Sequence, residues 1–597
     1  MCGIAGYWNF GSESTEKSVL KRMTDAISHR GPDGEGQWFS ENNRIGLGHR
    51  RLSIIDLSDN GKQPMLYKDE FILVFNGEIY NYKELKSTLV NKGYIFQNQT
   101  DTEVVLAAYK EWGKDCVLHF DGMFAIALYD KVKNILFCAR DRFGEKPFYY
   151  TIQNGVFYFA SEIKALWESG VNKVVDNQFI YNFFVYDLVD NPKDQSQTFF
   201  SNVKKLKPAH YFEFSGQKIV NQIAYWKLST ETHNHLDLKS ASLRLMELLD
   251  TSVKRRLRSD VPVGTSLSGG LDSSTIVGLV SRYLDTNQTF SARFSNFEKD
   301  EGAYIQLVKD KFKTNHHDIF ISQEHLYNDL EKIIFHQDEP FQSGSVFAQY
   351  CVYKSAKEKN VTVMLDGQGA DEVLAGYPKY FKTYLSELLK GGKSIEKISK
   401  ELNGNHSVKF QFSKKDNFQL KFPFFYDKLS KINWSLSKKN LPKGIASEFQ
   451  TAFYPKVSPF THFDDLKSML KDNSTNQGLE KLLRFADRNS MAHAVEVRLP
   501  FLNHDLVEFI MSLESYLFFE NGWSKSILRE GVNTLLPQEI TYRKDKVGFE
   551  APDDQWMKDE RFKELIHDSK SKLIQEKIIT DQNIDSWKII NIAHFLG

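Results

Sequence analysis

Cysteine is scarce in this sequence. The four cysteines, at positions 2, 116, 138 and 351, form no Cys-x-x-Cys pair and are too sparse for a disulfide framework. Their scarcity excludes a disulfide-stapled scaffold and suits a reducing cytosol. Net charge is lacking too: 77 basic and 77 acidic residues cancel, so no global field draws the chain to nucleic acid or an anionic membrane. No apolar run approaches the roughly 18 residues that span a bilayer. The amino terminus lacks the basic segment and apolar core of a secretory leader. These absences lead us to expect a cytoplasmic protein acting on small molecules, with neither nucleic acid nor membrane as partner. No internal repeat is found, and 597 residues suggest roughly two to four domains rather than one core.

What is present begins at the second residue. In MCGIAGYW, removal of the initiator methionine would leave Cys2 with both a thiol and a free α-amine. An amine with a pKa of about 8 can take the proton of the thiol, the arrangement of an N-terminal nucleophile.

Up to about residue 225, FILVFNG, GMFAIALYD, NILFCARD and GVFYFASE read as strands, the second and third joined as a hairpin. EKSVLKRMTDAISH and DTEVVLAAYKEWG read as helices. The polar STETHNHLDLKS reads as a linker at about 227–238, dividing a domain of residues 1–226 from one of residues 239–597. Met246, Leu249, Val253 and Leu257 then recur at helical spacing, and apolar strands such as VPVGTSL and VTVML alternate with helical stretches such as STIVGLVSRYL. That alternation predicts an α/β domain around a parallel sheet. Near 391–445, twelve lysines accompany four acids among Phe and Trp, which we read as a solvated insertion.

In FNGEIYNY, Asn76 and Gly77 follow an apolar strand, where a side-chain amide and a backbone N–H could form the oxyanion hole of acyl transfer. Asn-Gly is also a common turn dipeptide. Arg51, Glu78 and Asp101, the last placed at a helix N-cap, supply the guanidinium and carboxylates that an amino-acid zwitterion requires. The pieces MCGIAG, SHRGPD, GHRRLSI, NGEIYN, TDTE and RDRFGEKPFYY resemble, in order, the class II glutamine amidotransferases. The resemblance implies an N-terminal-nucleophile αββα sandwich in which Cys2 attacks the glutamine amide and releases ammonia. It implies an oxyanion hole at Asn76 and Gly77, with Arg51 on the substrate carboxylate and Glu78 and Asp101 on its amine.

Farther on, VPVGTSLSGGLDSSTIVGLV runs strand, glycine turn, helix, an anion cradle suited to pyrophosphate. No Gly-Lys-Ser/Thr follows, so it is not a Walker A loop. Ser268, Gly269, Gly270, Asp272, Ser273 and Ser274 match the SGGxDS loop of enzymes that cleave ATP to AMP and pyrophosphate; Leu267, Gly367 and Gln368 join them as expected ATP-binding residues. The second loop, DGQGADEVLAGY, offers Asp371, which with Asp272 could hold Mg2+ on the nucleotide. Lys546, in TYRKDKVGFEAP, could neutralise departing pyrophosphate. His233, His235, His316 and His317 are not assigned to a metal.

With RFADRNSMAHAVEVRLPFLNHDL, these loops resemble the synthetase domain of the glutamine-hydrolysing asparagine synthetases. The resemblance implies an adenine nucleotide α hydrolase-like parallel-sheet domain, adenylation of an aspartate carboxylate, attack by ammonia delivered between the domains, and a possible homodimer. One position departs from several relatives: Gln368 stands where they carry glutamate, and an amide cannot take a proton. The same mechanism on another carboxylate, such as a sugar acid or natural-product intermediate, is the neighbouring reading. A binding or regulatory protein without catalysis is the reading from another class, and intact Cys2, Asp272, Asp371 and Lys546 argue against it.

Overall fold

The computed structural model describes residues 1–11, 15–216, 222–406, 443–455, 461, 463–545, 550–582 and 584–597. Lys546 and most of the lysine-rich stretch, residues 407–442, lie outside them.

Alternating apolar residues in the first part build two six-stranded antiparallel sheets. One runs, in spatial order, Lys204–Lys205, Tyr149–Gln153, Val156–Ala160, Gly3–Asn9, Ile45–Arg51 and Gly34–Phe39. The other runs Ile223–Ala224, His210–Phe214, Ile135–Arg140, Gly122–Asp130, Phe71–Ile79 and Met65–Tyr67. Ile4, Trp8, Ile45 and Leu47 of the first meet Ile72, Val74, Ala125 and Ala127 of the second in one buried layer. Each outer face carries helices: Leu20 and Met23 of Lys17–Asp25 pack on Tyr7 and Tyr158, while Val104, Val105 and Ala108 of Asp101–Trp112 pack on Phe75 and Phe124. The result is the expected αββα sandwich, with each sheet burying both faces. The helix over 101–112 is capped one residue earlier than its sequence suggests: Thr100, not Asp101, is the N-cap, and its hydroxyl accepts from the Glu103 N–H at 3.3 Å. Both residue types cap well, and here the extended backbone of Thr100 leaves Asp101 inside the first turn, free to point elsewhere.

Between Ala224 and Leu238 there is no regular element. A helix then spans Leu238–Arg256, its N-cap Asp237 accepting from Ser240 N–H at 2.7 Å. Beyond it five parallel strands order as Asn315–Phe320, Gln288–Arg293, Val263–Ser266, Val363–Leu365 and Glu496–Arg498. Leu245, Leu249, Ile276 and Val277 cluster with Met364 and Leu365 of the sheet, while Phe347, Tyr350 and Phe485 belong to a second cluster. Both are needed because a parallel sheet hides both faces.

The two halves share interior. Met1, Leu52, Ile54, Tyr80, Met123 and Phe143 of the sandwich belong to the same apolar cluster as the parallel-sheet core. Beside them, Arg30 donates to Asp487 at 2.8 and 2.9 Å and to Glu162 at 2.8 Å. All three side chains are buried. Burial opposes ionisation of Asp487, yet Arg30 outweighs it and holds the carboxyl below its ordinary range. Asp487→Asn should therefore leave the buried guanidinium with Glu162 as its one anionic partner and cost about 3 kcal/mol. Differential scanning fluorimetry should show a lowered first transition, whereas exposed Asp505→Asn should shift it by under about 0.5 kcal/mol equivalent.

Candidate functional site

The first site is built where the strand Gly3–Asn9 begins beside the strand Phe71–Ile79. The Cys2 N–H donates to Asn76 Oδ1 at 3.0 Å, and the Cys2 sulfur lies 3.9 Å from the Leu52 carbonyl. Burial pushes the Cys2 thiol up, and the amino-terminal ammonium of Met1 works against that. With its oxygen occupied, Asn76 leaves Nδ2 buried and without a partner, a donor available to a developing oxyanion. Gly77 pairs with Phe124, and a Cβ there would sit 2.1 Å from the Met123 carbonyl oxygen, so no larger residue fits. Arg30 donates from Nε to the Cys2 carbonyl at 3.0 Å, tying the cysteine to the ion pair with Asp487.

Arg51 is aimed by backbone. Its Nη1 donates to the Ser58 carbonyl at 2.6 Å and Nη2 to that of Asp56. Gly61 leaves the space, since a Cβ there would fall 2.0 Å from Nη2. Glu78 and Asp101 lie together: burial, then each other and Glu496, push the Glu78 carboxyl well above its ordinary value. Burial likewise pushes Asp101 up to about 6, against the Ile79 N–H that Oδ2 accepts at 2.9 Å. Two carboxylates so disfavoured as anions favour a cationic ligand between them. From the other half, Glu496 Oε2 accepts from the Met1 ammonium at 2.7 Å and Oε1 from Arg498 Nε at 2.6 Å. Arg498 also donates to the carbonyls of Arg256 and Arg258 at 2.6 and 2.7 Å.

The second site is a cavity of about 400 Å³ at the carboxyl ends of the parallel strands, the usual ligand position in such sheets. Leu267, Ser268, Asp272, Ser273, Gly367, Gln368 and Asp371 line it. Gly269 and Gly270 shape the turn instead. Gly269 adopts φ +69° where a Cβ would meet Tyr304 at 2.8 Å, and Gly270 precedes the helix Leu271–Val280. Ser268 and Ser273 hydroxyls lie 3.1 Å apart across the turn. Ser274, fully buried as the fourth residue of that helix, is not among the lining residues. Gln368 Oε1 is buried and without a partner. The described lining carries five carboxylates, on Asp272, Glu301, Asp366, Asp371 and Glu372, and no Lys or Arg.

Lys525 answers that surplus of acid. Its ammonium lies 2.7 Å from both oxygens of Asp272 and 2.5 Å from Asp371, bringing the two expected metal ligands onto one cation. Burial disfavours the Lys525 charge, but Asp272 and Asp371 outweigh burial and hold its pKa above the ordinary value.

A family model for a glutamine amidotransferase domain matches residues 1–226, and one for asparagine synthase matches residues 244–585. The chain belongs to the asparagine synthase family. It is similar to asparagine synthetase (glutamine-hydrolyzing) 3 of Bacillus subtilis, 32% identical over 91% of this chain and 86% of that protein. Asparagine synthetase (glutamine-hydrolyzing) 1 of the same organism is also 32% identical, over 94% and 88%. Amidase chry2 of Gibberella zeae is 28% identical over 93% and 90%.

Four residues of this asparagine synthase family chain escape sequence reasoning: Arg30, Glu496, Arg498 and Lys525. The first three sit inside SHRGPD and VEVRLPF, stretches that carry the family likeness without revealing a role. Lys525 is a lone lysine in a polar loop, and nothing local distinguishes it. Lys525→Met should leave two like charges facing each other and cost about 3–5 kcal/mol. Urea unfolding should show that loss, and adding Asp272→Asn to the same chain should recover part of it by removing one stranded charge.

Proposed function

We propose that this chain is a glutamine-dependent asparagine synthetase in which Cys2 hydrolyses glutamine and the ammonia amidates an aspartate activated by ATP. The observation that carries the reading is the shared strand: Glu496–Arg498 holds Met1, the neighbour of Cys2, at its start and adjoins the cavity at its end, where the Asp366 N–H donates to the Arg498 carbonyl at 3.0 Å. A thiol site and a nucleotide-type cavity on one element suit a product passed from one to the other.

In the first reaction the Cys2 thiolate attacks the glutamine side-chain carbonyl, the C–N bond breaks and ammonia leaves; water then splits the thioester to glutamate. Asn76 Nδ2 and the Gly77 N–H receive the oxyanion, a contribution of about 3–4 kcal/mol per donor in comparable sites. Arg51 holds the substrate carboxylate, and Glu78 and Asp101 its ammonium. In the second reaction the aspartate side-chain carboxylate attacks the α-phosphate of ATP and expels pyrophosphate; ammonia then displaces AMP. Asp272 and Asp371 would hold Mg2+, which supplies charge neutralisation at the phosphates. Their joint grip on the Lys525 ammonium supports that fit, since the pair already accommodates a cation. Ser268 and Ser273 hydroxyls and the helix N-terminus receive phosphate oxygens. Lys546, outside the described residues, remains our choice for the charge on pyrophosphate. Gln368 cannot accept a proton, so it orients a reactant through its unpartnered oxygen.

A second reading keeps the mechanism and changes the acceptor. The described lining has no basic side chain to receive the second carboxylate of aspartate, and one relative is named an amidase. Measuring pyrophosphate release with aspartate, glutamate, uronic acids and small amino acids decides between them, with turnover on a sugar acid and silence on aspartate selecting the second.

Cys2→Ala should abolish glutamate formation from glutamine yet leave pyrophosphate release supported by added ammonium chloride; surviving glutaminase would remove Cys2 as nucleophile. The acid limb offers an independent check. Protonating Asp101, whose carboxyl sits at about 6, removes an anion from the glutamine ammonium. The kcat/KM for glutamine should therefore fall roughly tenfold per pH unit below 6 and level off above it. In Asp101→Asn the limb should move from its parent position, being left to Glu78, whose carboxyl burial also raises.

A further inference from the structure

The helices Ser345–Glu358 and Leu479–Met491 supply a wall of the nucleotide cavity that the loops do not, and neither has a part in the reactions above. Val346, Val352, Leu482 and Phe485 make that wall apolar. One amide stands among them. Gln349 lines the cavity a turn beyond Ser345, and three hydrogen bonds behind it fix which way its amide faces. Buried Asn489 donates from Nδ2 to the Val346 carbonyl at 2.9 Å. A carbonyl can only accept, so the nitrogen of Asn489 must lie on that side. The same Nδ2 donates to Gln349 Oε1 at 3.0 Å, which uses both of its N–H groups. From behind, Asn489 Oδ1 accepts from Nε2 of fully buried Gln337 at 2.8 Å. With Oε1 committed to Asn489, Gln349 has Nε2 left as a donor for the cavity.

We propose that Gln349 Nε2 donates a hydrogen bond to an oxygen at the non-reacting end of the acceptor acid, the α-carboxylate in aspartate, and so helps to select which acids are activated. The inference rests on the proposed function above. The five carboxylates of the described lining suit the ammonium of an amino acid and oppose its second carboxylate. Lys525, the cation beside the cavity, is already shared by Asp272 and Asp371. Among the described lining residues only Gln349 and Gln368 carry side-chain N–H groups. Gln368 belongs to the loop of Gly367 and Asp371, on the side given to the phosphates. That leaves Gln349 for the acceptor. A neutral amide meets a carboxylate oxygen without adding a charge that must itself be desolvated. Because the amide is oriented before the substrate arrives, little side-chain freedom is lost on binding. Asn489 touches no substrate in this scheme and acts as a positioning residue.

The test separates acceptor from nucleotide. Pyrophosphate release is measured with magnesium and ammonium chloride, varying aspartate at saturating ATP and then ATP at saturating aspartate, in the parent and two variants. Gln349→Met removes the donor and adds no charge. It should lower kcat/KM for aspartate about tenfold, the scale of one hydrogen bond to a charged group, and change KM for ATP by less than about twofold. Gln349→Glu keeps an oxygen for Asn489 but turns a second oxygen to the substrate. It should lower kcat/KM for aspartate further still, and it decides the matter if Gln349→Met does not fold. Should a uronic acid rather than aspartate be turned over, Gln349→Met should impose the same loss on it, whereas Gln349→Glu, to which a hydroxyl can donate, should cost less than Gln349→Met. An unchanged kcat/KM for the acceptor in both variants overturns the proposal. So does a rise in KM for ATP that equals or exceeds the acceptor effect, as would follow if Gln349 touched the nucleotide or only shaped the cavity. A parent enzyme that releases no pyrophosphate with any acid would overturn the proposed function itself, and this inference with it.

Discussion

The guanidinium of Arg30 is the contact on which the rest of the architecture depends. It holds the carbonyl of Cys2 from one side and the carboxylates of Glu162 and Asp487 from the other. A charged group so deeply buried is costly to desolvate and is tolerated only when every donor finds a partner. Its presence therefore specifies a single docking of the sandwich on the parallel-sheet half. A slip of the seam by even one residue would part Arg30 from Asp487, leaving the arginine only Glu162 of its own half. Cys2 is fixed relative to the cavity by the same group that fixes the halves.

Both sites carry more acid than their surroundings can comfortably ionise, and the two solve it differently. Around Cys2 the carboxyls of Glu78 and Asp101 are pushed toward neutrality, so a ligand bearing an ammonium restores their charge as it binds. In the cavity Asp272 and Asp371 share an internal lysine instead. The first site thus meets its surplus acid by holding carboxyls near neutrality, and the second by pairing them with an internal cation. Neither needs a positive surface field, which agrees with the cancelled net charge of the chain.

Much of this was readable before any coordinates. Strand alternation and the turn between Asp130 and Ile135 announce the second sheet, and the glycine turn around Ser268 names its own chemistry because every residue involved is local. Arg30 with Asp487 and Met1 with Glu496 were not readable, because partners 457 and 495 residues apart leave no mark on either local pattern. The shift of the cap from Asp101 to Thr100 has a different origin. Two adjacent residues had equal local claims, and only the tertiary demand that Asp101 accept from Ile79 settles which one caps. Ser274 shows the converse: a position inside the motif can be buried beneath the turn and stay out of the cavity lining.

The burial of Met1 bears on how the molecule is made. With 1% of its surface exposed, the methionine offers a peptidase no handle once the halves have closed. Glu496, the residue that seals it in, leaves the ribosome late, after the entire sandwich. If Cys2 acts as the proposed terminal nucleophile, Met1 would have to leave in the interval between those two moments, which makes trimming a matter of synthetic timing rather than of equilibrium.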